Sequence, residues 1–165
     1  MIHYVKGDAT DPVVKTGVRA ILHVCNDQGG WGRGFVLAIS KKWKEPETKY
    51  RDFIKSAKRE GIETLGRVQH IVVDHNTTVL NMIAQHGYKS SQNPVPLNYY
   101  ALELCLEAVA ELFDGDENIT IHMPRIGCGL AGGNWPEVEA LITRILSKLE
   151  VYVYDLSSGI GEKEK

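Results

Sequence analysis

Two glycine-rich segments, each directly after an apolar run, constrain the fold of this chain more than any other feature. The first, residues 26–34, reads NDQGGWGRG and follows the nearly continuous apolar run VRAILHVC. The second, residues 127–133, reads GCGLAGG and comes shortly after the apolar segment at residues 119–123. An apolar run of this length that is bounded by glycine is typical of a buried strand ending in a loop. We therefore expect two loops at the ends of buried strands.

Strand and helix patterns alternate along the chain, which is typical of an α/β fold. Strands are expected at residues 2–5, 18–25, 68–73, 78–84, 119–123 and 151–156. Helices are expected at residues 35–43, 46–60, 97–113 and 136–149. The polar segment 74–77 predicts a hairpin between two of the strands. The predicted architecture is a mixed central sheet with helices packed on both of its faces.

The length and composition favour one domain. The chain has 165 residues, of which 43% are hydrophobic and 24% charged, and these values are typical of a single globular core. We expect residues 1–156 to form this domain. Residues 157–165 are rich in Gly, Ser and charge and predict a flexible tail.

Charge and cysteine content disfavour several classes of protein. Lys and Arg number 19 and Asp and Glu 21, giving a net charge of -2, whereas a general nucleic-acid binder needs a basic surface. We expect no signal peptide and no membrane helix, because no apolar stretch reaches the ~20 residues that such a helix needs. The 3 cysteines form no CxxC pair, so no metal site and no cofactor is expected. A reducing, cytoplasmic setting is the simplest interpretation.

The two glycine-rich loops are suited to holding an anion with backbone groups. In open α/β sheets, ligands bind at the carboxyl ends of strands, and helix N-termini and successive N–H groups attract anions there. Neither loop is a Walker A motif, and residues 30–34 lack the spacing of a dinucleotide fingerprint. Each loop alone could be a simple tight turn. Two of them at one sheet edge predict a diphosphate held from both sides.

Four segments, in the order in which they occur, resemble the macrodomain family, the ADP-ribose-binding fold. They are Gly7-Asp8-Ala9-Thr10, His23-Val24-Cys25-Asn26, the loop at residues 29–35, and Pro124-Arg125-Ile126-Gly127-Cys128-Gly129-Leu130. The stretch at residues 123–130, followed by Trp135, most resembles the class that includes the terminal ADP-ribose protein glycohydrolase. The similarity of layout extends from residue 2 to residue 156.

The resemblance implies a role for each matching residue. Asp8 would accept a hydrogen bond from the adenine amino group, beside the Ala9 N–H, since an ionised carboxylate only accepts. Asn26 would lie near the distal ribose, and the two loops would hold the diphosphate with their N–H groups. The ligand-binding residues implied in this way are Asp8, Ala9, His23, Gly32, Arg33, Gly34, Phe35, Gly127, Cys128, Gly129, Leu130, Ala131 and Gly132.

This sequence differs from that class at the two positions that carry its catalytic residues. The class uses a lysine that attacks the anomeric carbon of the ribose and an aspartate that assists. The corresponding positions here are Gln85 and Ala131. An amide is not a nucleophilic amine and a methyl group carries no exchangeable proton, so we expect the covalent lysine route to be absent. Lys89 is close in sequence, but its offset does not match.

The route that remains is direct attack of water on the anomeric carbon. The predicted catalytic residues are Asn26 and Gln85, which would orient the water, and Asp27, which would act as general base. A carboxylate leaving group barely needs protonation, so the predicted activity is removal of mono-ADP-ribose from Asp and Glu side chains. The predicted partners are ADP-ribose and mono-ADP-ribosylated proteins, with no membrane partner. Nucleic acid is expected only through ADP-ribosylated ends.

Several assignments stay open at this point. The main alternative function is a reader that binds ADP-ribose without turnover, which the absent lysine and aspartate favour. A third is a hydrolase of ADP-ribose 1″-phosphate or of ADP-ribosylated nucleic acid. Asp27 and His86 could equally be polar loop residues, and Trp31 could be a lid over the distal ribose or a surface anchor. Arg125 is expected to brace its loop more than to contact substrate.

Overall fold

A six-stranded sheet organises the computed structural model, which describes residues 1–156. The strands are β1 (Ile2–Lys6), β2 (Val18–Asn26), β3 (Val68–Asp74), β4 (Thr77–Gln85), β5 (Ile119–Met123) and β6 (Glu150–Asp155). The helices are α1 (Phe35–Lys42), α2 (Glu45–Glu60), α3 (Tyr99–Leu112) and α4 (Trp135–Ile145). The predicted α/β class is confirmed. The predicted tail, residues 157–165, lies outside the described residues, so the domain boundary stays a prediction.

The order of the strands is β1-β6-β5-β2-β4-β3, and every neighbouring pair is parallel except β3 and β4. The antiparallel pair is the hairpin that the sequence predicts, so the sheet is mixed as expected. Parallel strands place their carboxyl ends at the same edge. The segments that follow β1, β2, β4 and β5 therefore all emerge at one edge of the sheet.

The helices cover both faces of the sheet, because alternate residues of a strand point to opposite faces. In β2, Ala20 and Leu22 pack with α3 and α4, whereas Ile21 and Cys25 pack with α1 and α2. This burial on both sides explains the nearly continuous apolar character of β2 and of β4. No helix within residues 1–156 has both the length and the apolarity to cross a membrane.

Two predicted helix boundaries are wrong, and tertiary contacts explain both. The helix expected from residue 97 begins at Tyr99, with the Asn98 side chain accepting from the Ala101 N–H at 2.9 Å. Leu97 itself donates its N–H to Ala131. The helix expected to reach residue 149 ends at Ile145. Leu146 and Leu149 continue the apolar pattern because they are buried in a turn that leads into β6.

Two histidines of the central sheet, one in β2 and one in β5, are buried as neutral groups. His122 is fully buried and bonds with Thr120 Oγ1 at 2.7 Å and Tyr154 Oη at 2.8 Å. His23 is buried and donates from Nε2 to Asn81 Oδ1 at 2.5 Å. Burial is the main reason why the pKa of each histidine is lowered to about 4.

We expect the free energy of unfolding to fall as the pH is lowered from about 6.5 to about 4. Unfolded histidines take up protons near pH 6.5, whereas these two resist protonation until the folded pKa of about 4. Each histidine can therefore remove up to about 3 kcal/mol of stability over this interval. Urea denaturation at stepped pH values measures the slope. Replacing the exposed His75 by Gln should leave the slope intact, and equal stability at both ends of the interval would contradict the assignment.

Candidate functional site

A cleft of about 600 Å³ opens at the carboxyl edge of the sheet. It is lined by residues that follow β1, β2, β4 and β5, together with Tyr154 and Leu156. Asp8 lies at the β1 end and Gln85 at the β4 end, four strand positions apart. Because neighbouring strands are about 4.8 Å apart, the two ends are separated by on the order of 19 Å. The cleft is therefore elongated, with the two glycine-rich loops near its middle.

The first glycine-rich loop ends at Gly34, which has φ 81° and ψ -147° and directly precedes α1. This backbone conformation is open to glycine and strained for other residues. No side chain caps the N-terminus of α1, so its first N–H groups lack partners within the helix. Gly32, Arg33, Gly34 and Phe35, for which the sequence predicts ligand binding, all line the cleft. The centre of the cleft thus offers backbone donors to an anion.

Asn26 shapes the first loop from within. Its Oδ1 accepts from the N–H groups of Gln28 at 2.8 Å and Gly30 at 3.2 Å, and its Nδ2 donates to the Gly30 carbonyl at 2.9 Å. The Tyr50 hydroxyl donates to the Asn26 main-chain oxygen at 2.6 Å. Asn26 lines the cleft, but its amide is engaged in holding the loop. Its predicted part in orienting water is untested.

Trp31 is neither a lid nor a surface anchor. Its side chain is only 3% exposed, and its Nε1 donates to Ser40 Oγ at 2.7 Å. The indole packs edge-on against the His23 ring, with 5.3 Å between ring centroids. Both residues form part of the cleft wall. The tryptophan therefore joins the first loop to the core beneath it.

The second glycine-rich loop lines the cleft with Gly127, Gly129, Leu130 and Ala131, but not with Cys128 or Gly132. The latter two were predicted to bind ligand. Their N–H groups instead donate within the loop, to the carbonyls of Arg125 and Gly129. Burial raises the pKa of the Cys128 thiol to about 11, with partial opposition from the Arg125 charge. Cys128 therefore carries no thiolate at neutral pH.

Arg125 braces the second loop, as predicted. Its Nε and Nη2 donate to the two carboxylate oxygens of Asp155 at 2.8 and 3.0 Å. The guanidinium carbon also lies 5.2 Å from the ring centroids of both Tyr4 and Trp135. A planar cation held by a carboxylate and two aromatic rings is a rigid support. The loop that follows Arg125 is thereby fixed to β6 and to the start of α4.

The β4 end of the cleft is lined by Gln85, Tyr88 and Lys89. Asp27, predicted as a general base, does not line it. The Asp27 carboxylate instead accepts from His86 Nδ1 at 2.6 Å, the Gly87 N–H at 2.8 Å and Gln28 Nε2 at 3.1 Å. Burial raises the pKa of Asp27, but these hydrogen bonds outweigh it and lower the pKa overall. Asp27 therefore binds two loops together and does not face the cleft.

The charges along the cleft are distributed unevenly. Among residues 1–156, the carboxylate that lines it is Asp8, at the β1 end, where Asp8 Oδ1 accepts from the Thr10 N–H and hydroxyl at 2.8 Å each. Tyr88 and Lys89 were not predicted as site residues. The sequence feature that could have identified them is the presence of an aromatic and a basic residue in the polar loop directly after β4. Within the same residues, no three His, Cys, Asp or Glu side chains cluster as metal ligands.

We expect Gly34→Ala to lower stability by about 1–3 kcal/mol, because alanine is strained at this backbone conformation. A Cβ on Gly34 would also lie 3.2 Å from Leu130 Cδ1, where the two loops touch. Gly32→Ala is the matched control, since its Cβ meets open space and its φ is not positive. Urea denaturation of both variants measures the difference. Equal stability of the two variants would contradict this account of the first loop.

Comparison with known proteins places these features in context. The sequence matches no model of a protein family. A solved structure of a protein from Bacteroides thetaiotaomicron is 49% identical, with 93% of this chain and 97% of that chain covered and a TM-score of 0.84. A macrodomain protein from Streptomyces coelicolor is 46% identical, with 94% and 99% covered and a TM-score of 0.79. The ADP-ribose 1″-phosphate phosphatase of Candida albicans is 24% identical over 149 residues, which are 86% of this chain and 92% of that protein.

Proposed function

Because this chain belongs to the macrodomain family, we propose that its cleft binds ADP-ribose and hydrolyses mono-ADP-ribose esters of protein Asp and Glu side chains. In the proposed complex, the adenine lies at Asp8 and Ala9, and the diphosphate lies between the two glycine-rich loops. The distal ribose then lies near Gln85. The elongated cleft, its central backbone donors and the position of Asp8, the one lining carboxylate among residues 1–156, at the β1 end support this orientation.

The hydrolysis that we propose needs few groups from the protein. The oxygen of water forms a bond to the anomeric carbon, and the bond from that carbon to the acyl oxygen breaks. The electron pair leaves with the Asp or Glu carboxylate, and the proton of the attacking water passes to solvent. The products are ADP-ribose and the free side chain. The loop N–H groups hold the diphosphate, so the ribose meets water in a fixed position.

Gln85 is suited to orienting the water. Its Nε2 donates to the Gly87 carbonyl at 3.0 Å, which fixes the amide plane. No group in residues 1–156 donates to its Oε1, and the side chain borders the cleft. An amide oxygen can accept a hydrogen bond from water. Asn26 contributes indirectly in this proposal, by fixing the backbone of the first loop.

The observation that carries the choice of substrate is the lack of a general base at the β4 end, judged over residues 1–156. Asp8 lies at the opposite end of the cleft, and Asp27 faces away from it. His23 has a pKa lowered to about 4, mainly by burial, and its Nε2 proton is held by Asn81. A site of this kind can assist cleavage of a bond only when the leaving group departs without taking up a proton. An acyl-linked ribose meets that condition, whereas an arginine or serine linkage does not.

A second candidate substrate is ADP-ribose 1″-phosphate. The name of the Candida albicans relative favours it, and phosphate also departs as an anion. The same cleft would hold the ADP-ribose part in the same orientation. A reader that binds without turnover is the remaining alternative, and the assay below distinguishes all three.

We expect release of ADP-ribose from a Glu-linked substrate, measured by chromatography, to exceed the buffer control. Gln85→Ala should lower kcat by at least about tenfold, because the attacking water loses the hydrogen-bond acceptor that orients it. The affinity for ADP-ribose, measured by calorimetry, should stay unchanged. Gln92→Ala, in the exposed loop that follows β4 and outside the cleft lining, is the control. Binding without release would favour the reader. Release of phosphate from ADP-ribose 1″-phosphate alone would favour the phosphatase.

We also expect kcat/KM for the Glu-linked substrate to be nearly independent of pH from about 6 to about 8, because no acid or base with a pKa in that range faces the cleft. His23 stays neutral over this interval, given its pKa of about 4. Initial rates in buffers of constant ionic strength provide the profile. A bell-shaped curve, or a limb that rises near pH 7, would show a general base that this proposal lacks.

A further inference from the structure

The loop of residues 86–96, between β4 and α3, is held by polar bonds within itself. Asn93 Nδ2 donates to the carbonyls of His86 at 2.9 Å and Tyr88 at 3.1 Å. Ser90 and Asn93 exchange two backbone hydrogen bonds, each of 3.1 Å. These bonds surround the segment that carries Tyr88 and Lys89. Their effect is to give an exposed loop a defined shape.

The same loop is tied to the rest of the cleft. The Asp27 carboxylate accepts from His86 Nδ1 at 2.6 Å and from the Gly87 N–H at 2.8 Å, and the His86 N–H donates to the Pro96 carbonyl at 2.8 Å. The Tyr88 hydroxyl lies so close to the first glycine-rich loop that a Cβ on Gly30 would clash with it. The loop therefore keeps a fixed position relative to the β4 end of the cleft.

What this loop presents to the cleft is a cation. The cationic side chains that line the cleft within residues 1–156 are Arg33, Lys89 and Arg125. Arg125 is paired with Asp155, and Arg33 belongs to the first glycine-rich loop. No carboxylate in the described part of the chain forms an ion pair with Lys89. Lys89 thus lines the cleft, as Gln85 does, and its ammonium has no carboxylate partner among residues 1–156.

We propose that Lys89 is a catalytic residue that stabilises the departing carboxylate and so selects substrates with an anionic leaving group. This inference rests on the proposed function. As the bond between the anomeric carbon and the acyl oxygen breaks, its electron pair passes to the carboxylate of the target side chain. The Lys89 ammonium donates a hydrogen bond to that oxygen and keeps its own proton. Water supplies the oxygen that bonds to carbon, and its proton passes to solvent.

Electrostatic stabilisation of the leaving group supports this role for Lys89. Negative charge that develops in the transition state is stabilised by a cation held in place beforehand. The hydrogen bonds of Asp27 and Asn93 order the backbone of the loop from which Lys89 extends. Lys89 is exposed to solvent, which screens the interaction. The expected contribution is therefore about tenfold in kcat, smaller than the roughly 10²–10³-fold effect of a buried oxyanion-hole donor.

The test compares Lys89→Met and Lys89→Arg in the full chain, with Lys55→Met as the control. Lys55 is an exposed residue of α2 that does not line the cleft. We expect Lys89→Met to lower kcat for the Glu-linked substrate about tenfold, with Lys89→Arg keeping most of the activity. The affinity for ADP-ribose should stay unchanged, because this product lacks the leaving carboxylate. The urea midpoint should also stay unchanged, because the side chain is exposed.

Two results would overturn the inference while leaving the hydrolysis of acyl-linked ADP-ribose in place. One is wild-type kcat in Lys89→Met. The other is loss of activity in both Lys89 variants together with a borohydride-trapped ribose adduct on the wild-type lysine, which would show that the amine attacks carbon. Failure of the wild-type chain to bind ADP-ribose would instead overturn the proposed function, and the role of Lys89 with it.

Discussion

The parallel pairing of β2 with β5 is the constraint on which the site depends. Val18 lies beside Ile119 and Ile21 beside His122, so the two strands run in the same direction in adjacent positions. Their carboxyl ends therefore release the two glycine-rich loops side by side. If either strand were reversed, its loop would emerge at the opposite edge of the sheet. The nearness of the two loops, such that a Cβ on Gly34 would lie 3.2 Å from Leu130 Cδ1, is a direct consequence of this pairing.

Charged side chains and backbone groups have different tasks around the cleft. Several charged side chains hold the loops: Arg125 with Asp155 supports the second, and Asp27 with His86 joins the first to the loop after β4. In the middle of the cleft, Arg33 lines the wall together with backbone N–H groups, which can approach an anion closely. This division explains how a chain with a net charge of -2 can offer a site for a diphosphate.

The sheet and its helices could be predicted because local patterns agree with the final fold. β2 and β4 are apolar on both faces, and the hairpin between β3 and β4 has a polar turn. The positions of single side chains could not be predicted in the same way. Trp31 proved buried, Asp27 turned away from the cleft, and Lys89 borders it. Each depends on contacts between segments that are distant in sequence, which no local pattern encodes.

The central claim is that both glycine-rich loops hold one diphosphate through their N–H groups. Titration of the 15N-labelled chain with ADP-ribose, followed by amide NMR, tests it most directly. The account predicts that the largest shift changes occur together at residues 32–36 and at residues 127–131, and that adenosine, which lacks the diphosphate, does not reproduce them. Shift changes confined to one loop, or equal changes with adenosine, would contradict it.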